Sequence, residues 1–143
     1  MIRSVSQKKD FQNAAEFFKQ SYNLAPQQKS RSILLYNTAL AYEKAGEAIK
    51  SVQYYELYLH EMPDAKEKEE IDRKMPGLRL FAQADRLQEA HKHNEAILFY
   101  KESYELLQDE DVRAVITLDM AHSSKQLNEP AISSLPTAPK TID

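Results

Sequence analysis

Two landmarks in this 143-residue chain move together along the sequence. Ala39 and Ala84 lie 45 residues apart, and so do Tyr55 and Tyr100. The small residues share a setting, Leu35-x2-Thr38-Ala39-x2-Tyr42 in one case and Leu80-x2-Gln83-Ala84-x2-Leu87 in the other. Each tyrosine follows a small residue by four, as Ser51-x3-Tyr55 and Ala96-x3-Tyr100. A helix turns once every 3.6 residues, so residues three and four apart share a face. The spacing predicts two amphipathic helices per unit, one offering a small residue for close approach and one a ring that fills the space. Gly46 can end the first helix at positive φ without a Cβ clash, and Pro63 stops the second. A unit this small cannot hide its own apolar face, so units must stack.

Composition removes several alternatives. The chain has no Cys, hence no disulfide framework, thiolate nucleophile or Cys-based metal site. Two Gly exclude the glycine loops that cradle phosphates. A net charge of −3 is too mild a footprint for nucleic acid or an anionic membrane surface. No apolar run approaches the ~18 residues of a membrane span, and no signal peptide opens the chain. The soluble all-α class follows, cytoplasmic or periplasmic, with the missing Cys deciding nothing between the two.

Along the chain, Ala14-x3-Phe18 followed by Pro26 repeats the second half of the pattern. Met1 to Lys8 then has room for only about the last two turns of a first helix, so a partial repeat over 1–26 is expected, either in a piece of a longer array or as a short N-terminus that caps the stack. The repeat at 32–65 comes next. Asp64 and Glu67 read as a capping box that opens an extra helix over 65–76, with Ile71 and Met75 as a thin apolar stripe and Pro76-Gly77 as its end. A second repeat occupies 77–110, with Asn94 as the expected cap of its second helix. A terminal first helix spans 111–127 with Ala121 at the small position, and Asn128 to Ser133 parallels Gly46 to Ser51. The domain covers 1–135, and 134–143 is a Pro/Ser/Thr tail expected to be disordered. The rings of Phe17, Phe18, Tyr22, Tyr42, Tyr54, Tyr55, Tyr58, Phe99, Tyr100 and Tyr104 are expected to form the stacking core, and no cofactor is expected.

The run from Leu35 to Gly46, followed by Ser51, Tyr55 and Pro63, resembles the tetratricopeptide repeat in its order of large, small, aromatic, small, aromatic and proline. The 37 residues from Phe18 to Tyr55 are that family's 34 plus 3, and the 45-residue interval is 34 plus 11. The resemblance implies an α-solenoid of antiparallel helix pairs with one extra helix inserted, whose first helices line a concave groove. It places Ile33, Tyr36, Asn37, Leu40 and Glu43 in that groove, then Leu78, Phe81, Asp85 and Gln88, then Val115, Leu118, His122 and Lys125. Asn37 matches an asparagine that in the family bonds a bound peptide's backbone, since an amide donates and accepts at once; an ordinary surface amide is the alternative. The Lys/Arg clamp that some members close on a carboxylate is missing, with Leu78, Ala82 and Asp85 in its slots and Lys125 the clear cation. What the resemblance implies is a protein-interaction module or scaffold. Glu43, Asp85, Glu89 and Asp119 give the groove's apolar floor an acidic tint, so the expected partner is an apolar or amphipathic, mildly basic protein segment, with Tyr36 and Phe81 as the expected hot spots. Self-association through an uncovered terminal face, giving a homodimer, is the alternative, as is a regulatory role in a larger assembly.

Catalytic chemistry finds little footing. His91-x-His93 falls in the turn between paired helices with no third ligand close in sequence, although Asp85 or Glu95 could join it after folding. Exposed turn histidines account for it; a metal-dependent enzyme domain around the pair is the remaining alternative. No Ser sits in a nucleophile elbow, and no glycines free a backbone for an oxyanion hole. The carboxylates fall on Lys/Glu-rich helical faces where i, i+4 partners explain them. Neither catalysis nor a bound metal is expected.

Overall fold

Connections of two to six residues fold consecutive helices back against each other. A computed structural model describes residues 5–133, with side chains from 7 to 128. It contains α1 (Val5–Leu24), α2 (Gln28–Ala45), α3 (Ala48–Glu61), α4 (Lys68–Glu89), α5 (His93–Leu106) and α6 (Glu110–Ser133), with no strand among the described residues. Each helix packs on its neighbours in sequence, the pattern of a helical repeat. No helix among the described residues is long and apolar enough to cross a membrane.

The 45-residue shift holds for the backbone of the turns. Gly46 ends α2 at φ 77°, its N–H on Glu43 O at 2.9 Å and the Glu47 N–H on Tyr42 O at 2.8 Å. His91 ends α4 at φ 62°, its N–H on Gln88 O at 2.9 Å and the Lys92 N–H on Leu87 O at 2.8 Å. Both turns thus satisfy the last helical carbonyls through a left-handed residue and a bond reaching five residues back.

One core runs through the stack. Leu35, Ala39, Tyr55 and Tyr58 continue into Ile71, Leu78 and Phe81, then Ala96 and Tyr100, then Val112 and Ile116. The small residues serve close approach, since the Ser51 hydroxyl donates to Ala39 O at 3.0 Å across the α2–α3 contact. A smaller cluster of Ala15, Ala41 and Tyr42 holds α1 to α2. Nearly all the aromatic residues lie in or against these clusters, but Phe17 is 65% exposed.

Several boundaries differ from those read in the sequence. No separate helix occupies 65–76, because α4 begins at Lys68 and runs through Pro76 to Glu89. Pro76 forfeits one backbone hydrogen bond, yet Ile71, Met75, Leu78 and Ala82 are buried on both sides of it and keep the helix seated in the core. Gly77 serves contact here: a Cβ there would lie 2.7 Å from Leu107 Cγ. Asp64 and Glu67 form no capping box; Glu67 precedes α4 without a side-chain cap, and its carboxylate accepts from the Tyr58 hydroxyl at 2.6 Å. Val5 to Leu24 is one helix, so no turn divides an opening pair. Lys92, and not Asn94, precedes α5. Helix α6 continues to Ser133 without a turn at Asn128. Ala121 is exposed there while Val112, Val115, Ile116 and Ser123 form the buried face. The tail at 134–143 lies outside the described residues.

Candidate partner-binding surface

Helix α2 presents a stripe that the stack leaves partly open. Ile33 is 50% exposed, and Tyr36, Asn37 and Leu40 are half-buried. These positions, spaced i, i+3, i+4 and i+7, fall on one helix face. The Tyr36 ring is held against Tyr55 and Tyr58, with centroids 6.1 and 5.3 Å away. Burial raises the pKa of its hydroxyl, and the charges of Glu70, Glu67 and Glu43 push it the same way.

Beside the stripe lies a cleft of about 350 Å³ lined by Glu43, Glu70, Arg73, Lys74 and the residues from Leu106 to Asp109. Glu43 is 4% exposed. It accepts the Tyr55 hydroxyl at 2.5 Å and pairs with Lys74 at 2.9 Å, whose ammonium sits 5.0 Å from the Tyr55 ring centroid. Burial, with the Glu43 charge second, holds the Tyr55 hydroxyl far above the ordinary tyrosine range. This network joins α2, α3 and α4, so Glu43 acts as a strut.

The groove residues from the later helices are not gathered into one trough. Leu78 and Phe81 are 0% exposed, and the Phe81 ring meets Tyr100 edge-on with centroids 6.0 Å apart. Core packing between α4 and α5 has taken them, so Phe81 cannot act as a hot spot. Val115 is buried against Gly46, where α6 touches α2 and Lys44 pairs with Asp109 and, at 3.7 Å, with Asp111. The Gln88 amide donates to Asp119 O at 3.0 Å and to the Ser123 hydroxyl at 2.9 Å, fastening α4 to α6. Leu118, 43% exposed, and the exposed His122 and Lys125 lie on α6.

Asp85 is half-buried and accepts the Tyr100 hydroxyl at 2.7 Å. Burial pushes its carboxyl up to about 7; the Tyr100 bond and, less, Lys8 oppose this, while Asp119 and Glu47 add to it. Asp119 is raised to about 6, again mainly by burial. His93 is 8% exposed and its Nδ1 lies 3.3 Å from the Ser123 hydroxyl; burial lowers its pKa, with His91 and His122 adding to the effect. His91 and His93 have ring centroids 5.9 Å apart. Among the described residues, no group of three or more His, Cys, Asp or Glu is placed to hold a metal ion.

Reading 65–76 as a separate inserted helix hides Glu67, Glu70 and Lys74. The signal was present: Ile71, Met75, Leu78 and Ala82 keep helical spacing straight across the proline. Comparison with family models, with characterised proteins and with solved structures finds no match for this chain.

Proposed function

We propose that the chain is a protein-interaction module that holds an apolar or amphipathic, mildly basic segment of a partner along α2, in the manner of a tetratricopeptide-like array. The supporting observation is the open stripe of Ile33, Tyr36 and Leu40 beside the carboxylates of Glu43, Glu67 and Glu70. An amphipathic helix lays apolar residues along such a stripe and turns Lys or Arg toward the acidic rim. Asn37 sits within the stripe, its amide able to donate and accept. Lys74 already neutralises Glu43 and Arg73 lines the same cleft as Glu70, so Glu67 and Glu70 leave one acidic charge in excess to favour a cationic partner.

The test is fluorescence anisotropy with two labelled helical peptides of the same apolar pattern, one edged with Lys and Arg and one with Glu. The basic peptide binds more tightly, and Tyr36→Ala weakens it about 30-fold, the size of a 2 kcal/mol hot spot. Equal affinity for the two peptides, unchanged by Tyr36→Ala, overturns the reading.

A further inference from the structure

The last helix is seated differently along its two halves. Val112, Val115 and Ile116, all in the first half of α6, are buried in the core. Beyond the half-buried Met120, Ser123 is the one buried residue of α6 among those described, at 0% exposure. A hydroxyl and its bonds therefore hold the second half.

Those bonds fix the protonation of a neighbour. The Asp119 carbonyl can only accept, so the Gln88 group 3.0 Å from it is the amide NH2. The same group lies 2.9 Å from Ser123 Oγ, which accepts from it in turn. The Ser123 proton is left to donate, and His93 Nδ1 stands 3.3 Å away. Nδ1 accepts only while it carries no proton, which puts the ring proton of neutral His93 on Nε2. A second proton would turn Nδ1 into a donor and strand the buried hydroxyl proton. It would also set a positive charge on the first residue of α5, the positive end of that helix, where His91 and His122 repel it.

We propose that the second half of α6 is held by an acid-sensitive latch: neutral His93 keeps Ser123 and Gln88 in place, and a second proton on the ring lets residues 121–133 come away from α4 and α5. The first half stays seated through Val112, Val115 and Ile116. Burial holds His93 below its ordinary pKa, so the opened form takes up the proton first. The seat is complete above about pH 6.5 and weakens as pH falls, with opening favoured by up to about tenfold per pH unit, the limit for one proton. The carboxyls at the junction act in the other sense. Asp119 faces Asp85, with Glu47 from the α2–α3 turn and Lys8 from α1 acting on both. Burial raises both carboxyls, so acid favours their seated, neutral form and offsets part of the latch. His122 acts on both sets, repelling a charged His93 and lowering Asp119.

Amide hydrogen exchange of Asp119→Asn tests the latch, because this variant removes the opposing titration and keeps the backbone carbonyl that Gln88 binds. After correction for the intrinsic pH dependence of exchange, 121–133 lose about tenfold in protection between about pH 6.5 and about pH 5, while 112–118 keep theirs. Adding His93→Asn, whose amide oxygen accepts from Ser123 and takes no proton, abolishes the loss; circular dichroism at neutral pH confirms unchanged helix content. His122→Asn, at an exposed position, leaves the loss in place. Ring-nitrogen NMR of the wild-type chain checks the starting state without any substitution and finds His93 as the Nε2–H tautomer at neutral pH. An Nδ1–H tautomer, protection of 121–133 that survives acid, a loss spread evenly along α6, or one that persists in His93→Asn overturns the proposal.

Discussion

Gly46 and His91 occupy the same place in two helix pairs, and they reach the same left-handed backbone with different side chains. Their bonds to the preceding helix match to 0.1 Å, at 2.9 and 2.8 Å in both turns. The geometry of the turn is therefore imposed by the stacking of the helices and not by glycine. What glycine adds at position 46 is room, because Val115 of α6 closes over it and a Cβ would lie 2.6 Å from Val115 Cβ. His91 is exposed. The first turn is covered and the second is open, and the sequence differs accordingly.

Substitution can break that comparison. Gly46→Ala combines left-handed strain of about 1–2 kcal/mol with overpacking of about 1–3 kcal/mol against Val115. A total loss near 3 kcal/mol is expected by urea denaturation, while His91→Ala, strained already, stays within about 0.5 kcal/mol of wild type. Equal losses at both positions would show that Val115 does not matter.

A second contrast separates the tyrosine partners. Tyr55 donates to Glu43, which Lys74 answers at 2.9 Å; Tyr100 donates to Asp85, which instead feels Asp119 and Glu47. Because burial raises Asp85 to about 7, the folded chain holds that proton after the unfolded chain has released it. Its contribution is complete below about pH 4 and is lost as pH rises toward 7. Stability should fall by about 1–2 kcal/mol across that window, a figure reduced for partial exposure. Asp85→Asn keeps an acceptor for Tyr100 and should remove the larger part of the slope, leaving the part that Asp119, raised to about 6, contributes with the same sign. A slope undiminished in the variant would assign it elsewhere.

The smallest effect sharpens the first contrast. His91→Gly relieves the left-handed strain and should stabilise the chain by about 1 kcal/mol, read as a rise in the denaturation midpoint. No change would mean that the His91 side chain earns back its strain through contacts of its own.

The paired helices were legible because their landmarks are short-range: a small residue, a ring four residues after another small one, and a left-handed turn each declare themselves locally. The continuity of α4 was not, since Pro76-Gly77 is a strong local breaker overruled by burial of Ile71 and Leu78 on either side and by the seat Gly77 makes for Leu107. Ile33, Tyr36, Asn37 and Leu40 were placed together by the family resemblance, and what the structure adds is that this face of α2 is partly open. Leu78 and Phe81 could not be told from groove residues, because helical spacing marks an apolar face without saying whether a neighbouring helix or a partner covers it. Phe17 shows the converse, an aromatic read as core that the stack leaves outside.

The proposed partner surface is α2 with the beginning of α4. Amide hydrogen exchange of the full chain with and without the basic amphipathic peptide tests it most directly. Added protection over 33–43 and 67–74, with the outer flank of α6 unchanged, is the predicted result; protection confined to that flank, or none anywhere, would contradict it.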